Sequence, residues 1–136
     1  MFSLTSATLI GLDAIHVAIE TDIAFGLGAF NIVGLPDAAV KESRERVKAA
    51  IKNSGLSFPV SRLTINLAPA DLRKEGPHFD LPLALAVLEA QGLVKIPPKN
   101  LFIGELALDG KLRPVSGVLA MALEARARGY QKIYLP

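Results

Sequence analysis

The chain has 136 residues, a hydrophobic fraction of 51% and a formal net charge of +2. That length suits one domain with a real core, and the charge is too small to mark a nucleic-acid partner unless the basic residues share a face. With no cysteine, disulfides and thiolate metal sites are excluded, as in a cytoplasmic protein.

The densest apolar run, Leu81–Leu88, is interrupted by Pro82, and nothing approaches the roughly 18 residues of a membrane span. No basic residue precedes the first apolar positions of MFSLTSATLIGLDAIHVAIE, so the start does not read as a signal peptide.

The opening reads as two strands, about Leu4–Ile10 and Ile15–Thr21, with Ile15, Val17 and Ile19 alternating apolar. A glycine turn through Gly26 and Gly28 leads to a third short strand over Asn31–Gly34. Pro36 then suits the first position of a helix, with Asp37 in the first turn and Gly55 as the stop. Val40, Val47, Ala50 and Ile51 form its apolar stripe, and Lys41/Glu45 and Glu42/Arg46 pair along its solvent face.

Ser61–Leu67 alternates again as a strand. A charged, proline-bearing loop follows and runs through Gly76-Pro77 into a helix over Phe79–Gln91. That helix is apolar nearly all round, so it must be buried on several sides. Leu101–Leu106 and Lys111–Val115 flank Asp109-Gly110, a hairpin signal. A third helix over Gly117–Arg128 stops at Gly129, and Lys132–Leu135 begins a last strand. The order β-β-β-α-β-α-β-β-α-β predicts an α+β fold with a mixed sheet. A strand finishing at Pro136 suggests a piece of a longer protein.

A helix start leaves backbone N–H groups unpaired, so the Gly76-Pro77 junction is the natural place for an anion site or a nucleophile. Only His78 stands there; no Ser, Thr or Cys does. The field at a helix start disfavours imidazolium, so a functional His78 would be a neutral hydrogen-bonding group. The plainer reading, a helix-capping residue, is preferred because catalysis needs a partner that the sequence does not supply. His16 alternates with apolar strand residues and reads as a surface or edge residue. Two histidines without cysteine need carboxylates to hold a metal, and no helical spacing presents one, so no metal is expected.

Gly104–Leu112 superficially resembles a phosphate-binding P-loop. Its spacing is one residue too long, Leu112 occupies the Ser/Thr position, and Asp109-Gly110 predicts a hairpin instead. Gly26-x-Gly28-x-x-Asn31 lacks the third glycine of a dinucleotide fingerprint. Neither nucleotide binding nor any other cofactor is expected of this chain. Arg62, Arg73, Lys74, Lys111 and Arg113 fall near strand ends and loops, as a phosphate patch or as solvated charges.

GLPDAAVKESRERVKAAIKNSG, RLTINLAPADLRKEGPHFDLPLALAVL and GELALDGKLRPVSGV together resemble the amino-terminal domain of the magnesium-chelatase-like AAA+ ATPases, the ComM and YifB group. The resemblance covers nearly the whole chain. It implies a Lon-protease-like fold, shared with the second domain of the fifth small-subunit ribosomal protein and with the Lon-like domain of RadA. It also implies a AAA+ module after residue 136, with ATP and magnesium as that module's cofactors.

Lon-type peptidases carry a nucleophilic serine directly after this Gly-Pro pair and a lysine beyond a Pro-x-Gly-Gly segment. Here the corresponding positions are His78 and, after Pro114-Val115-Ser116-Gly117, Leu119. A Ser–Lys dyad needs a hydroxyl and a basic amine, so the resemblance implies a degenerate, non-catalytic site. It further implies a ring oligomer, a hexamer in the parent, that handles DNA during recombination. Arg73, Lys74, Lys111 and Arg113 are then the candidate contacts, acting through phosphates without sequence preference. The alternatives are an accessory domain of a chelatase-type ATPase that remodels protein, and a Lon-like peptidase.

Overall fold

A computed structural model describes residues 2–136. Its strands are β1 (Phe2–Ile10), β2 (Asp13–Ala24), β3 (Ala29–Val33), β4 (Arg62–Ala68), β5 (Asn100–Phe102), β6 (Glu105–Leu106), β7 (Leu112–Arg113) and β8 (Lys132–Tyr134). The helices are α1 (Ala38–Asn53), α2 (Asp80–Ala90) and α3 (Val118–Ala127), with a 3-10 turn over Pro77–Phe79 ahead of α2. Six strands form one sheet in the order β3-β4-β2-β1-β5-β8. β1/β2 and β2/β4 are antiparallel, whereas β3/β4, β1/β5 and β5/β8 are parallel. The α+β class and the mixed sheet are as the sequence predicts. No helix among the described residues is long and apolar enough to cross a membrane.

Side-chain alternation sorts the core onto two faces. Val17, Ile19, Leu63, Ile65 and Leu67 point to α1 and α2, where they meet Val40, Val47, Leu83 and Val87. Ala7 points the other way, into a smaller cluster with Leu101, Ile103, Met121 and Ala125. Thus α1 and α2 cover one face and α3 covers the other near β1, since successive strand residues face opposite sides. α2 is buried on several sides, as its composition requires, with Leu83, Ala86, Val87 and Leu88 all inside.

Most element ends shift by up to three residues from the sequence reading, and three features differ more. Asp37 is the N-cap of α1 rather than a first-turn residue; its Oδ1 accepts from Val40 N at 2.8 Å. An N-cap carboxylate satisfies an orphan amide and favours the positive helix end, a stronger role than Pro36 offers at the first position. The single strand expected over Leu101–Leu106 is two. Gly104 leaves the sheet because its N–H donates to His78 O at 2.9 Å and its carbonyl accepts from Leu81 N at 3.0 Å. The hairpin at Asp109-Gly110 forms, but as the separate ribbon β6–β7, not as part of the main sheet.

Gly34 cannot carry a side chain. Its φ is +99°, and a Cβ there would lie 2.2 Å from Leu67 O. That close approach lets the 34–37 segment run beside the loop before α2: Lys74 N donates to Leu35 O and Asp37 N to Lys74 O, both at 2.9 Å.

Candidate functional site

The chain entering α2 carries a buried acid and a buried imidazole two residues apart. Asp80 is fully buried, and its carboxylate is saturated. Arg46 donates to Oδ2 through Nε at 2.7 Å and to Oδ1 through Nη2 at 3.1 Å. Ser43 Oγ donates to Oδ1, and Leu106 N donates to Oδ2 at 3.0 Å. This network ties α1, α2 and β6 together, and hydrogen bonding to Asp80 holds Arg46 above the ordinary arginine value. The sequence reading paired Arg46 only with Glu42, and that contact exists at 3.5 Å on the outer side. The missed signal was Asp80 itself, a lone acid opening an otherwise apolar helix, which burial obliges to find a partner.

His78 faces the other way. Only 8% of it is exposed, and Nε2 lies 2.8 Å from Ala7 O. A carbonyl only accepts, so Nε2 carries the proton and the neutral ring keeps Nδ1 as a lone-pair acceptor. Burial pushes the His78 pKa down; the Ala7 hydrogen bond and the charges of Asp80 and Asp37 oppose this. His78 is not a helix cap: it lies inside the 3-10 turn, whose N-cap is Gly76, and Phe79 is the N-cap of α2, neither with a side-chain hydrogen bond.

Beside it lies a cleft of about 450 Å³, lined by Thr8, Leu9, Asp37, Glu75, Gly76, Pro77, His78, Pro114, Val115, Ser116 and Met121. The starts of α1, α2 and α3 therefore meet around one space. Of the two degenerate dyad positions, only His78 enters it. Leu119 sits on the first turn of α3, but its side chain is 74% exposed and outside the lining. Ser116 and Thr8 bring hydroxyls that the sequence reading did not single out. A larger hollow of about 610 Å³ beside β8 is walled by Leu81, Leu85, Ile96, Phe102 and Tyr134, with Lys95 its single charged residue. The first cleft is the one with chemistry.

The four candidate basic contacts separate. Arg73 is exposed and pairs with Glu75 at 3.3 Å, and Lys111 is exposed with Asp109 at 4.0 Å. Arg113 is exposed next to the cleft residue Pro114 and has no ion pair among the described residues. Lys74 is withdrawn from solvent altogether, which corrects its reading as a phosphate contact. Its ammonium donates to Gly34 O at 2.8 Å and to Pro69 O, clamping the loop from inside. Burial lowers its pKa, with Asp71 opposing.

His16 is also corrected. β2 is an interior strand, and the ring packs edge-on against Tyr130 at 4.8 Å. Burial, then the charge of Arg128, lowers its pKa, while Glu124 raises it. Residues 104–112 form β6, a turn and β7, the hairpin geometry that the sequence set against a P-loop.

A mixed α+β sheet with a cleft where the helix starts meet defines the class of domain. The family model for subunit ChlI of Mg-chelatase matches residues 19–136, and the chain belongs to that family. It is 48% identical over 124 residues to YifB of Salmonella typhimurium, covering 88% of this chain and 24% of YifB. It is 42% identical over 125 residues to competence protein ComM of Haemophilus influenzae, covering 89% of this chain and 24% of ComM. Lon protease of Malacoplasma penetrans is 27% identical over 125 residues, 87% of this chain and 16% of that protein. The chain thus spans about a quarter of YifB and of ComM, and corresponds to a region of ComM-like proteins of the chelatase family.

Proposed function

We propose that this domain is a non-catalytic accessory domain of a ComM-like AAA+ ATPase in the cytoplasm, supporting ring assembly and sequence-independent handling of DNA. The observation that carries the reading is the 42% identity to competence protein ComM across most of the chain. The cleft supports the non-catalytic part, because the dyad positions hold His78 and an outward-facing Leu119. ATP and magnesium belong, in this reading, to the remainder of the parent protein. A protein-remodelling role is the alternative that the same family allows.

Arg73, Lys111 and Arg113 are exposed, and they are the groups that would reach phosphates. One domain offers few such contacts, so binding is weak until a ring presents several copies along a duplex. The test is DNA affinity against salt for the full-length oligomer, wild type beside a variant with these three residues as Ala. Weaker binding and a shallower salt slope support the proposal. Unchanged affinity and slope assign the domain to ring assembly or protein docking instead. Cleavage of an unfolded substrate by the purified chain, lost in His78→Ala, would favour the peptidase reading.

A further inference from the structure

The cleft's polar lining is one-sided. Asp37 and Glu75 contribute carboxylates, His78 a bare ring nitrogen, Thr8 and Ser116 hydroxyls, and no Lys or Arg lines it. Asp37 Oδ1 is used in capping α1, whereas Oδ2 receives only a long 3.3 Å contact from Gly76 N. Glu75 is exposed and shares one oxygen with Arg73. His78 is more than nine-tenths buried, and its Nδ1 makes no hydrogen bond among the described residues. That nitrogen looks toward Gly76, where an added Cβ would stand 3.2 Å from it. Glycine at 76 keeps this approach to the ring open. The remaining walls, Leu9, Pro77, Pro114, Val115 and Met121, are apolar.

We propose that the cleft binds an alkylammonium group, the side chain of a lysine or a free alkyl amine. Such a ligand has an apolar stem and a compact head with three donors. The head would meet Asp37 Oδ2 and His78 Nδ1, and the stem would lie on the apolar walls. The exposed Glu75 adds a second carboxylate charge, so that the two together outweigh the partial positive charge of the helix starts. A bare metal ion fits less well, because no group of three His, Asp or Glu side chains among the described residues is close enough to hold one. An ammonium needs fewer partners, and Asp37 Oδ2 and His78 Nδ1 both adjoin Gly76. The site is independent of any DNA contact, which would use the exposed Arg and Lys outside the lining.

The experiment is an NMR titration of the 136-residue chain, following backbone amides. The probes are doubly blocked lysine, 1,5-diaminopentane, doubly blocked norleucine and propionate. The proposal expects blocked lysine or the diamine to shift the amides of Gly76, His78 and Ser116, with norleucine and propionate inert there. A preference for blocked lysine assigns the site to a protein segment; a preference for the diamine assigns it to a free amine. Glu75→Gln, at an exposed position that leaves the fold intact, and His78→Phe should each weaken binding about fivefold, one hydrogen bond's worth. The site is overturned if norleucine shifts the same amides equally or propionate binds better than either amine. It is also overturned if neither amine moves them, or if Glu75→Gln leaves the affinity unchanged.

Discussion

Asp80 and His78 stand two residues apart at one helix start, yet their surroundings are opposites. The Asp80 carboxylate has a partner for each oxygen from Arg46, Ser43 or Leu106. His78 spends one nitrogen on Ala7 and leaves the other toward a cleft. A saturated polar group inside a protein can bind nothing further; it orders the elements that satisfy it. An unsaturated one beside open space retains the capacity to bind. The first region is architecture, and the second is where a ligand can act.

The comparison breaks most readily at Asp80. Asp80→Ala strands the partly buried Arg46 guanidinium and the Leu106 amide, and should cost about 3–5 kcal/mol, the scale for breaking a buried ion pair. Urea unfolding measures it, and a cost near zero would mean that the network does not hold α1 to α2. Lys74→Ala comes next. It leaves the Gly34 and Pro69 carbonyls without their donor and should cost about 1–3 kcal/mol, read from the same unfolding midpoints. In the DNA assay Lys74→Ala should leave the salt slope unchanged, unlike the triple variant of Arg73, Lys111 and Arg113.

The smallest effect sharpens the cleft side. The His16 and His78 pKa values lie below the ordinary 6.5 in the fold, chiefly through burial. The unfolded chain therefore takes up protons first as pH falls, and stability should decline progressively below 6.5 toward the lowered values. Above 6.5 both states carry neutral imidazoles and these two residues contribute no slope. Melting temperatures between pH 7.5 and 5 follow this, and His78→Gln should flatten the decline.

Much of the fold was legible because it is written in short-range pattern. The alternation of Val17, Ile19, Leu63 and Ile65 gave strands with one buried face, and the all-round apolar character of α2 gave its burial. The break within Leu101–Leu106 is not legible in sequence because it depends on Gly104 bonding to His78 and Leu81, partners more than twenty residues away. The interior position of His16 is not legible either, because strand order is invisible to periodicity: alternation gives the faces of a strand, not its neighbours. The site was half legible. His78 was identified at its helix start, whereas Thr8, Asp37 and Ser116 join it only after β1, α1 and the approach to α3 converge.

By itself the sequence determined the α+β class, the order of most elements, the burial of α2 and the family, because these follow from local spacing and residue identity. Tertiary structure decided which charges are solvated and which are enclosed. Lys74 and Arg73 are neighbours of similar chemistry, yet one is locked against backbone carbonyls and the other stands in water. The reason is physical: burial and hydrogen-bond partners come from long-range packing, and a charged side chain takes its role from the groups that packing brings to it.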